Sequence, residues 1–150
     1  MADIDMQSLD WRQALRVFEQ IRNLEPDDER VRIHLIDLNF RLGQNTQAMA
    51  ELDNYTAFLW SNGQKEPAIK FLDRMVSEYP KQAPIRRRLA ELYRQTGNIR
   101  EAIQQLDAAG DLLVEAGDRA GAIEAVMAIL ALNPPNAGEY QRVLANLKGK

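Results

Sequence analysis

The stretch LAELYRQTGNIREAIQQL, residues 89–106, lies 54 residues after the stretch LIDLNFRLGQNTQAMAEL, residues 35–52. Both begin and end on leucine, and both have a central glycine followed five residues later by an alanine. Over their full length, the copies 14–67 and 68–121 share eleven identical residues, where composition alone gives about three or four. A period of this size predicts stacked helical units, because one such unit cannot bury its apolar face alone.

The same alanine, proline and glycine positions recur along the chain, and some continue beyond the second copy. The matching positions are Ala14, Ala68 and Ala122; Pro26, Pro80 and Pro134; Gly43 and Gly97; Ala48 and Ala102; and Gly63 and Gly117. A proline pushes the residue before it out of the helical region, and a glycine supplies the left-handed residue that often follows a helix. The proline and glycine positions therefore mark the turns between helices.

Apolar residues at helical spacing fill the segments between these turns. They predict an all-α, right-handed solenoid of about seven main helices. The predicted segments are 10–24, 29–42, 45–61, 65–78, 83–95, 99–116 and 119–132, followed by a closing helix at about 137–147. Asp10 and the pair Asp27 and Asp28 are the expected N-caps of the first two helices.

The helix at 45–61 and its copy at 99–116 are apolar on two sides. In the first, one face is formed by Ala48, Leu52, Tyr55 and Leu59. The other face is formed by Met49 and Trp60, with Phe58 nearby. A helix with two apolar faces is expected to pack on both of them.

The runs GNIREAIQQL, LAELYRQTG and AGAIEAVMAILALNP resemble tetratricopeptide repeats, the last ending on Pro134. The key alanines are separated by 34, 20, 34 and 20 residues, so the resemblance implies long helices shared between successive repeats. It also implies a protein-interaction module or scaffold that binds a peptide or partner helix in a concave groove.

Residues 25–55 are also similar to the repeat domain of bacterial transcriptional-activator-type regulators. This similarity implies the alternative function, a regulatory or oligomerisation domain of a transcription regulator.

The period predicts a single repeat domain over residues 1–150. It divides into a remnant or cap at 1–9, units at 10–63 and 64–117, and a partial unit with a capping helix at 118–150. In this register, residues 1–8 correspond to the tail of a preceding long helix. We therefore expect the chain to be a slice or an end of a longer array, with self-association through its N-terminal end.

Composition excludes several classes of protein. Cysteine is absent, which rules out disulfides, thiol catalysis and thiolate metal sites, and the net charge is −3. The N-terminus lacks the pattern of a secretory signal, and no apolar run is long enough to span a bilayer. We predict a soluble cytoplasmic protein that is not an enzyme and has no cofactor and no metal.

The single histidine, His34, is followed by Asp37 three residues later, but no nucleophile or second imidazole accompanies the pair. A surface position on a polar helix face is the favoured interpretation. The acids Glu25, Asp27 and Asp28 are interpreted as helix-capping residues in a turn.

Positive charge is concentrated at one place in an acidic chain. Against one acid, Glu91, residues 81–100 contain Lys81, Arg86, Arg87, Arg88, Arg94 and Arg100. Arginine suits carboxylates and phosphates, so the run predicts a surface for an acidic or phosphorylated segment. The alternative is a solvated face whose ion pairs contribute little.

In tetratricopeptide folds, the first helix of each pair lines the concave surface. The resemblance therefore implies a partner-binding groove formed by Arg30, Ile33, Asp37, Phe40, Arg87, Glu91 and Arg94. The Lys/Asn carboxylate clamp of chaperone-binding members is absent from these positions. The expected partner is another protein or peptide; a membrane is not expected, and nucleic acid is disfavoured. Trp60 is expected in the core, and Trp11 at an exposed site.

Overall fold

The computed structural model describes the backbone of residues 2–149 and the side chains of residues 10–149. This part of the chain forms eight α-helices and no strand. They are α1 (Ala2–Leu24), α2 (Glu29–Arg41), α3 (Asn45–Ser61), α4 (Lys65–Glu78), α5 (Ala83–Gln95), α6 (Ile99–Glu115), α7 (Arg119–Ala131) and α8 (Ala137–Lys148). The predicted all-α repeat fold is confirmed, with the closing helix as the eighth.

The turns use the chemistry that the sequence predicts. The Asp28 carboxylate accepts hydrogen bonds from the backbone N–H groups of Arg30 and Val31, at 3.1 and 3.4 Å, and so caps α2. After α5, Gly97 has φ of +81°, a left-handed conformation that costs glycine little. It lets the backbone N–H of Asn98 donate to the Tyr93 carbonyl at 2.8 Å.

One predicted boundary is wrong. Helix α1 runs without a break from Ala2 to Leu24, so Asp10 lies inside the helix and is not an N-cap. The physical reason is local, because residues 2–24 contain neither proline nor glycine to stop a helix. The prediction that residues 1–8 correspond to the tail of a preceding long helix depends on their side chains, which lie outside the described residues.

The chain separates into two compact bodies. The N-terminal body, Met1–Gln64, contains α1, α2 and α3. Its core holds Leu35 and Ile36 of α2 and Ala48 and Leu52 of α3, all fully buried. Tyr55 and Leu59 continue the buried face of α3, as its spacing predicts.

The C-terminal body, Lys65–Lys150, contains α4 to α8. Within it, α6 packs against both α5 and α7. Ala102 and Ala109 of α6 are fully buried, and an ideal Cβ on Gly110 would lie 3.7 Å from the Cβ of Ala125 in α7. The prediction of a helix packed on two sides is therefore confirmed for α6.

An arginine at the same repeat position ties the proline turn to the long helix in each body. In the N-terminal body, Arg32 Nε donates to the Pro26 carbonyl at 3.1 Å, and its Nη1 donates to Asn54 at 2.9 Å. In the C-terminal body, Arg86 Nε donates to the Pro80 carbonyl at 3.1 Å. Its Nη1 donates to Gln105 of α6 at 3.2 Å. These two arginines support the scaffold.

None of the helices within residues 2–149 has both the length and the apolar composition needed to cross a membrane.

Candidate functional site

The C-terminal body contains an open cavity of about 960 Å³, which we call the α5–α7 cavity. Helices α5 and α7 contribute its two sides, and α6 contributes residues between them. The lining residues are Arg87, Arg88, Ala90, Glu91 and Arg94 of α5, Ile99 and Leu106 of α6, Ala128 and Ala131 of α7, and Leu132, the residue that directly follows α7.

Small side chains on α7 leave room for this cavity. Ala128 and Ala131 lie three residues apart and both line it, so this wall extends only as far as two Cβ atoms. Beneath the cavity, Ala90, Ala102, Leu106 and Ile129 form a buried cluster. The cavity therefore has an apolar base held by close packing.

The α5 wall supplies the charges. Arg94 donates two hydrogen bonds to the Glu91 carboxylate, from Nε at 2.9 Å and from Nη2 at 2.6 Å. Gln95 donates to the same carboxylate at 3.1 Å. The Arg94 hydrogen bonds lower the pKa of Glu91 against the opposing effect of burial, and Glu91 in turn raises the pKa of Arg94.

A second ion pair crosses between the helices. Arg87 Nη2 of α5 lies 3.3 Å from Glu124 Oε2 of α7, and the Glu124 side chain is 65% exposed. Of the four charged residues that line the cavity, three are arginines and one is a glutamate. With Glu124 included, three guanidinium groups stand against two carboxylates, so the cavity combines a small excess of positive charge with an apolar wall and base.

Three predicted groove residues, Arg87, Glu91 and Arg94, are brought together in this cavity. Sequence reasoning missed the opposite wall, formed by Ala128, Ala131 and Leu132. The available signal was the composition of α7, RAGAIEAVMAILA, which is apolar on all sides and rich in alanine.

The structure also sorts the basic run of residues 81–100. Arg87, Arg88 and Arg94 line the cavity, whereas Arg86 bonds to the Pro80 turn and to Gln105. Lys81 and Arg100 are exposed and are not lining residues. Half of the six cations therefore belong to the candidate site.

The other predicted groove residues lie on α2 in the N-terminal body. Arg30 is exposed, while Ile33, Asp37 and Phe40 are half-buried. Asp37 accepts a hydrogen bond from Arg41 Nε at 2.7 Å. These four residues share one helix and form a surface of the N-terminal body.

The N-terminal body has a polar cavity of its own, of about 470 Å³, that the sequence did not reveal. It is lined by Arg22, Asn23, Pro26, Arg32, Ala50, Glu51 and Asn54. Glu51 pairs with Arg22 and lies 3.6 Å from Arg32, and burial followed by the charge of Arg22 lowers the pKa of Arg32. Its charged groups are engaged with one another.

The aromatic residues of α1 are partly covered. Phe18 stacks on His34 with ring centroids 4.8 Å apart, and Arg41 lies 5.7 Å from the ring centroid of Trp11. His34 is exposed, as predicted, whereas Trp11 is half-buried and not fully open. Trp60 is half-buried as well.

Among the side chains of residues 10–149, no group of three or more histidine, cysteine, aspartate or glutamate residues is placed to hold a metal ion.

A sequence model of the tetratricopeptide repeat matches residues 6–58 and 59–111, which together make up most of the chain. The chain belongs to the tetratricopeptide repeat family. The two matches begin 53 residues apart, close to the period read from the sequence. Tetratricopeptide repeats generally mediate protein–protein interactions, and the fold is typically a non-enzymatic scaffold.

Among solved structures, the chain is similar to the C-terminal part of a TPR repeat-containing protein from Cytophaga hutchinsonii. The identity is 15%, the match covers 97% of this chain and 68% of that chain, and the TM-score is 0.34. A search of curated proteins found no match.

Proposed function

We propose that this tetratricopeptide repeat chain is a protein-interaction module that binds an acidic or phosphorylated peptide segment in its α5–α7 cavity. The observation that carries the proposal is the composition of the lining, with three arginines on α5 facing alanines of α7 and the leucine that directly follows it. Membership of the family supports protein binding in general. The arginines of the cavity support an acidic or phosphorylated ligand in particular.

The arginines are suited to an exchange of partners. A guanidinium group presents a rigid fork of donors that matches a carboxylate or phosphate. Arg87 is now paired with Glu124, but exposed ion pairs stabilise a protein by only about 0–1 kcal/mol. An acidic ligand can therefore replace or share this pair at little cost in free energy.

The apolar wall supplies the other part of recognition. Ala128, Ala131 and Leu132 lie opposite the charged wall, and Leu106 lies at the base. An apolar side chain of the ligand that covers this surface gains roughly 25 cal/mol for each Å² it removes from water. The preferred ligand thus alternates acidic and apolar side chains.

We propose the α2 surface of Arg30, Ile33, Asp37 and Phe40 as a further contact for the same class of partner. Ile33 and Phe40 are half-buried apolar side chains beside the exposed Arg30. The corresponding α5 positions hold arginines, since Ile33 matches Arg87 and Phe40 matches Arg94 in the repeat. The two surfaces would therefore contact different parts of a partner.

The proposal is tested by reversing two charges of the cavity. In the variant Arg87→Glu/Arg94→Glu, the lining becomes acidic while α5 keeps its buried face. We expect binding of a labelled peptide of alternating glutamate and leucine to weaken at least tenfold in fluorescence anisotropy, with an unchanged circular dichroism spectrum. A peptide with glutamine in place of glutamate should bind weakly to either protein.

The variant Arg100→Glu/Arg119→Glu is the matched control, because it changes the net charge by the same amount at exposed positions outside the cavity. Equal loss in both variants would assign the effect to net charge alone. Undiminished binding by Arg87→Glu/Arg94→Glu would refute the site. A phosphoserine peptide compared with the glutamate peptide distinguishes the two acidic ligands.

Cytoplasmic location and the alternative role in a transcription regulator stay predictions.

A further inference from the structure

The last residue of α1, Leu24, presents an apolar side chain to solvent. Leu24 is 82% exposed, the largest exposed fraction among the large apolar side chains of residues 10–149 that face solvent. It is the last residue of α1 and begins the turn Leu-Glu-Pro-Asp-Asp, residues 24–28. A single exposed leucine is ordinary by itself, so its surroundings decide its meaning.

The turn that Leu24 begins contains three acidic residues, with Arg22 before it and Arg32 bonded to its Pro26 carbonyl. Glu25 and Asp27 are exposed in the same turn, whereas Asp28 caps α2 and Glu29 accepts a hydrogen bond from Tyr55. The equivalent turns are 78–82, Glu-Tyr-Pro-Lys-Gln, and 132–136, Leu-Asn-Pro-Pro-Asn. Among the three turns, only the first combines a leucine with acidic side chains.

We propose that this turn, residues 24–27, is itself a ligand of the α5–α7 cavity in a second copy of the chain. Leu24 would cover the apolar wall of Ala128, Ala131 and Leu132. Glu25 and Asp27 would meet the arginine wall of α5. The inference rests on the proposed function, because it assigns one acidic, apolar segment to the cavity described there.

Charge and chemical type support this occupant over the exposed middle of α1. The turn carries two exposed carboxylates, and the cavity lining carries three arginines against one glutamate. The other strongly exposed apolar residue of α1, Val17 at 53%, is flanked in the sequence by Arg16 and Phe18 and offers no such match.

The turn and the cavity are different surfaces, so their contact is head-to-tail. Each copy then keeps one unused turn or one unused cavity, and association continues beyond a dimer unless the copies close into a ring. The expected behaviour is a molar mass that rises with concentration. It should fall with added salt, because salt screens exposed charges.

Two variants test the contact by complementation. The turn variant, Leu24→Ser/Glu25→Gln/Asp27→Asn, keeps an intact cavity and brings no positive charge to a reversed cavity, and the cavity variant, Arg87→Glu/Arg94→Glu, keeps an intact turn. In sedimentation equilibrium, each variant alone should have the monomer mass. An equimolar mixture should form a heterodimer of twice that mass and nothing larger, since only one productive contact remains. Val17→Ser is the matched control and should associate like the wild type.

Three results would overturn the inference. They are a wild-type chain that stays monomeric over the concentration range, a turn variant that associates like the wild type, and a mixture of the two variants that stays monomeric. The glutamate–leucine peptide separates this from the proposed function. If that peptide binds the cavity while the wild type stays monomeric, the cavity remains a peptide site and only the self-docking is wrong. If both surfaces are right, the peptide should dissociate the assemblies.

Discussion

Arg32 is only 3% exposed, although arginine is rarely buried to this extent. Its guanidinium group meets the Pro26 carbonyl, Asn54 and Glu51, and it lies 5.3 Å from the ring centroid of Tyr55. A buried charge of this kind is tolerated because Nε and Nη1 have hydrogen-bond partners and a carboxylate lies nearby. The residue joins a turn, a long helix and an ion pair at one point.

We expect Arg32→Met to lower the free energy of unfolding by about 1–3 kcal/mol, because it leaves the Pro26 carbonyl and the Asn54 amide without their hydrogen bonds from Arg32. Urea denaturation followed by circular dichroism measures this change. Arg30→Met, an exposed position on the same helix, is the control and should change the free energy by about 0.5 kcal/mol or less. Equal effects at the two positions would contradict the assigned role of Arg32.

The role of Arg32 was not predicted from the sequence. Burial of an arginine depends on partners that are distant in sequence, here Glu51 and Asn54 of α3. One signal was available, since Arg32 and Arg86 are identical in the two copies whereas Ile33 and Arg87 differ. Identity between copies marks scaffold positions even for a charged residue.

At the scale of helices, local sequence was sufficient for nearly every boundary. The segments 45–61, 65–78 and 83–95 were predicted with the ends that α3, α4 and α5 have. Proline, glycine and aspartate act within one turn of the backbone, so their effect needs no knowledge of the fold. The start of α1 was missed because the repeat register implied a break where no such residue stands.

Two glycine-to-alanine substitutions separate the effect of backbone conformation on stability from the effect of packing. Gly97→Ala should lower the free energy of unfolding by about 1 kcal/mol, because φ of +81° is strained for alanine although no atom lies within 4 Å of the added Cβ. Gly110→Ala, inside α6, should instead raise it by about 0.5–1 kcal/mol, since alanine favours the helix and the added Cβ meets Ala125 at an ordinary distance.

Thermal and urea denaturation of both glycine variants measure these opposite signs. A loss of stability in Gly110→Ala would mean that α6 and α7 cannot accommodate one more methyl group. The close approach of these two helices would then be tighter than 3.7 Å indicates.

For the whole molecule, the repeat period predicted the type of fold. Arg87, Glu91 and Arg94 were expected in a groove because the resemblance to tetratricopeptide repeats places them on the first helix of a pair, and the two arginines also belong to a basic run in an acidic chain. Ala128 and Ala131 were not found, because their role arises only when α7 lies across α6 from α5. Sequence spacing describes one helix at a time, whereas a cavity requires several.

Alkaline pH should destabilise the chain through its tyrosines. Burial, followed by the charge and hydrogen bond of Glu29, raises the pKa of Tyr55 to about 12. Burial also raises the pKa of Tyr93 and Tyr140, with nearby carboxylates adding to the effect. The unfolded chain loses these protons near pH 10, so stability is fully present below that pH and is lost as pH rises towards 12.

The Tyr55 contribution is roughly 2–3 kcal/mol, from about two pKa units. We therefore expect the urea midpoint of the wild type to fall as pH rises above 10, and Tyr55→Phe to show a weaker fall. Tyr55→Phe should also cost about 1 kcal/mol at neutral pH, because it removes the hydrogen bond to Glu29. An identical pH dependence in both proteins would contradict the assignment to Tyr55.

The two-sided packing of α6 limits how a gene for such a chain can grow or shrink. A helix that serves two neighbours cannot be removed with either of them without exposing the apolar face that the other covered. Gain or loss of a 34-residue segment would therefore leave an unmatched surface, whereas a 54-residue segment carries one full period of the sequence with its three helices. Unequal recombination in this gene should then be tolerated in steps of three helices, and new binding properties should arise by substitution within copies of fixed length.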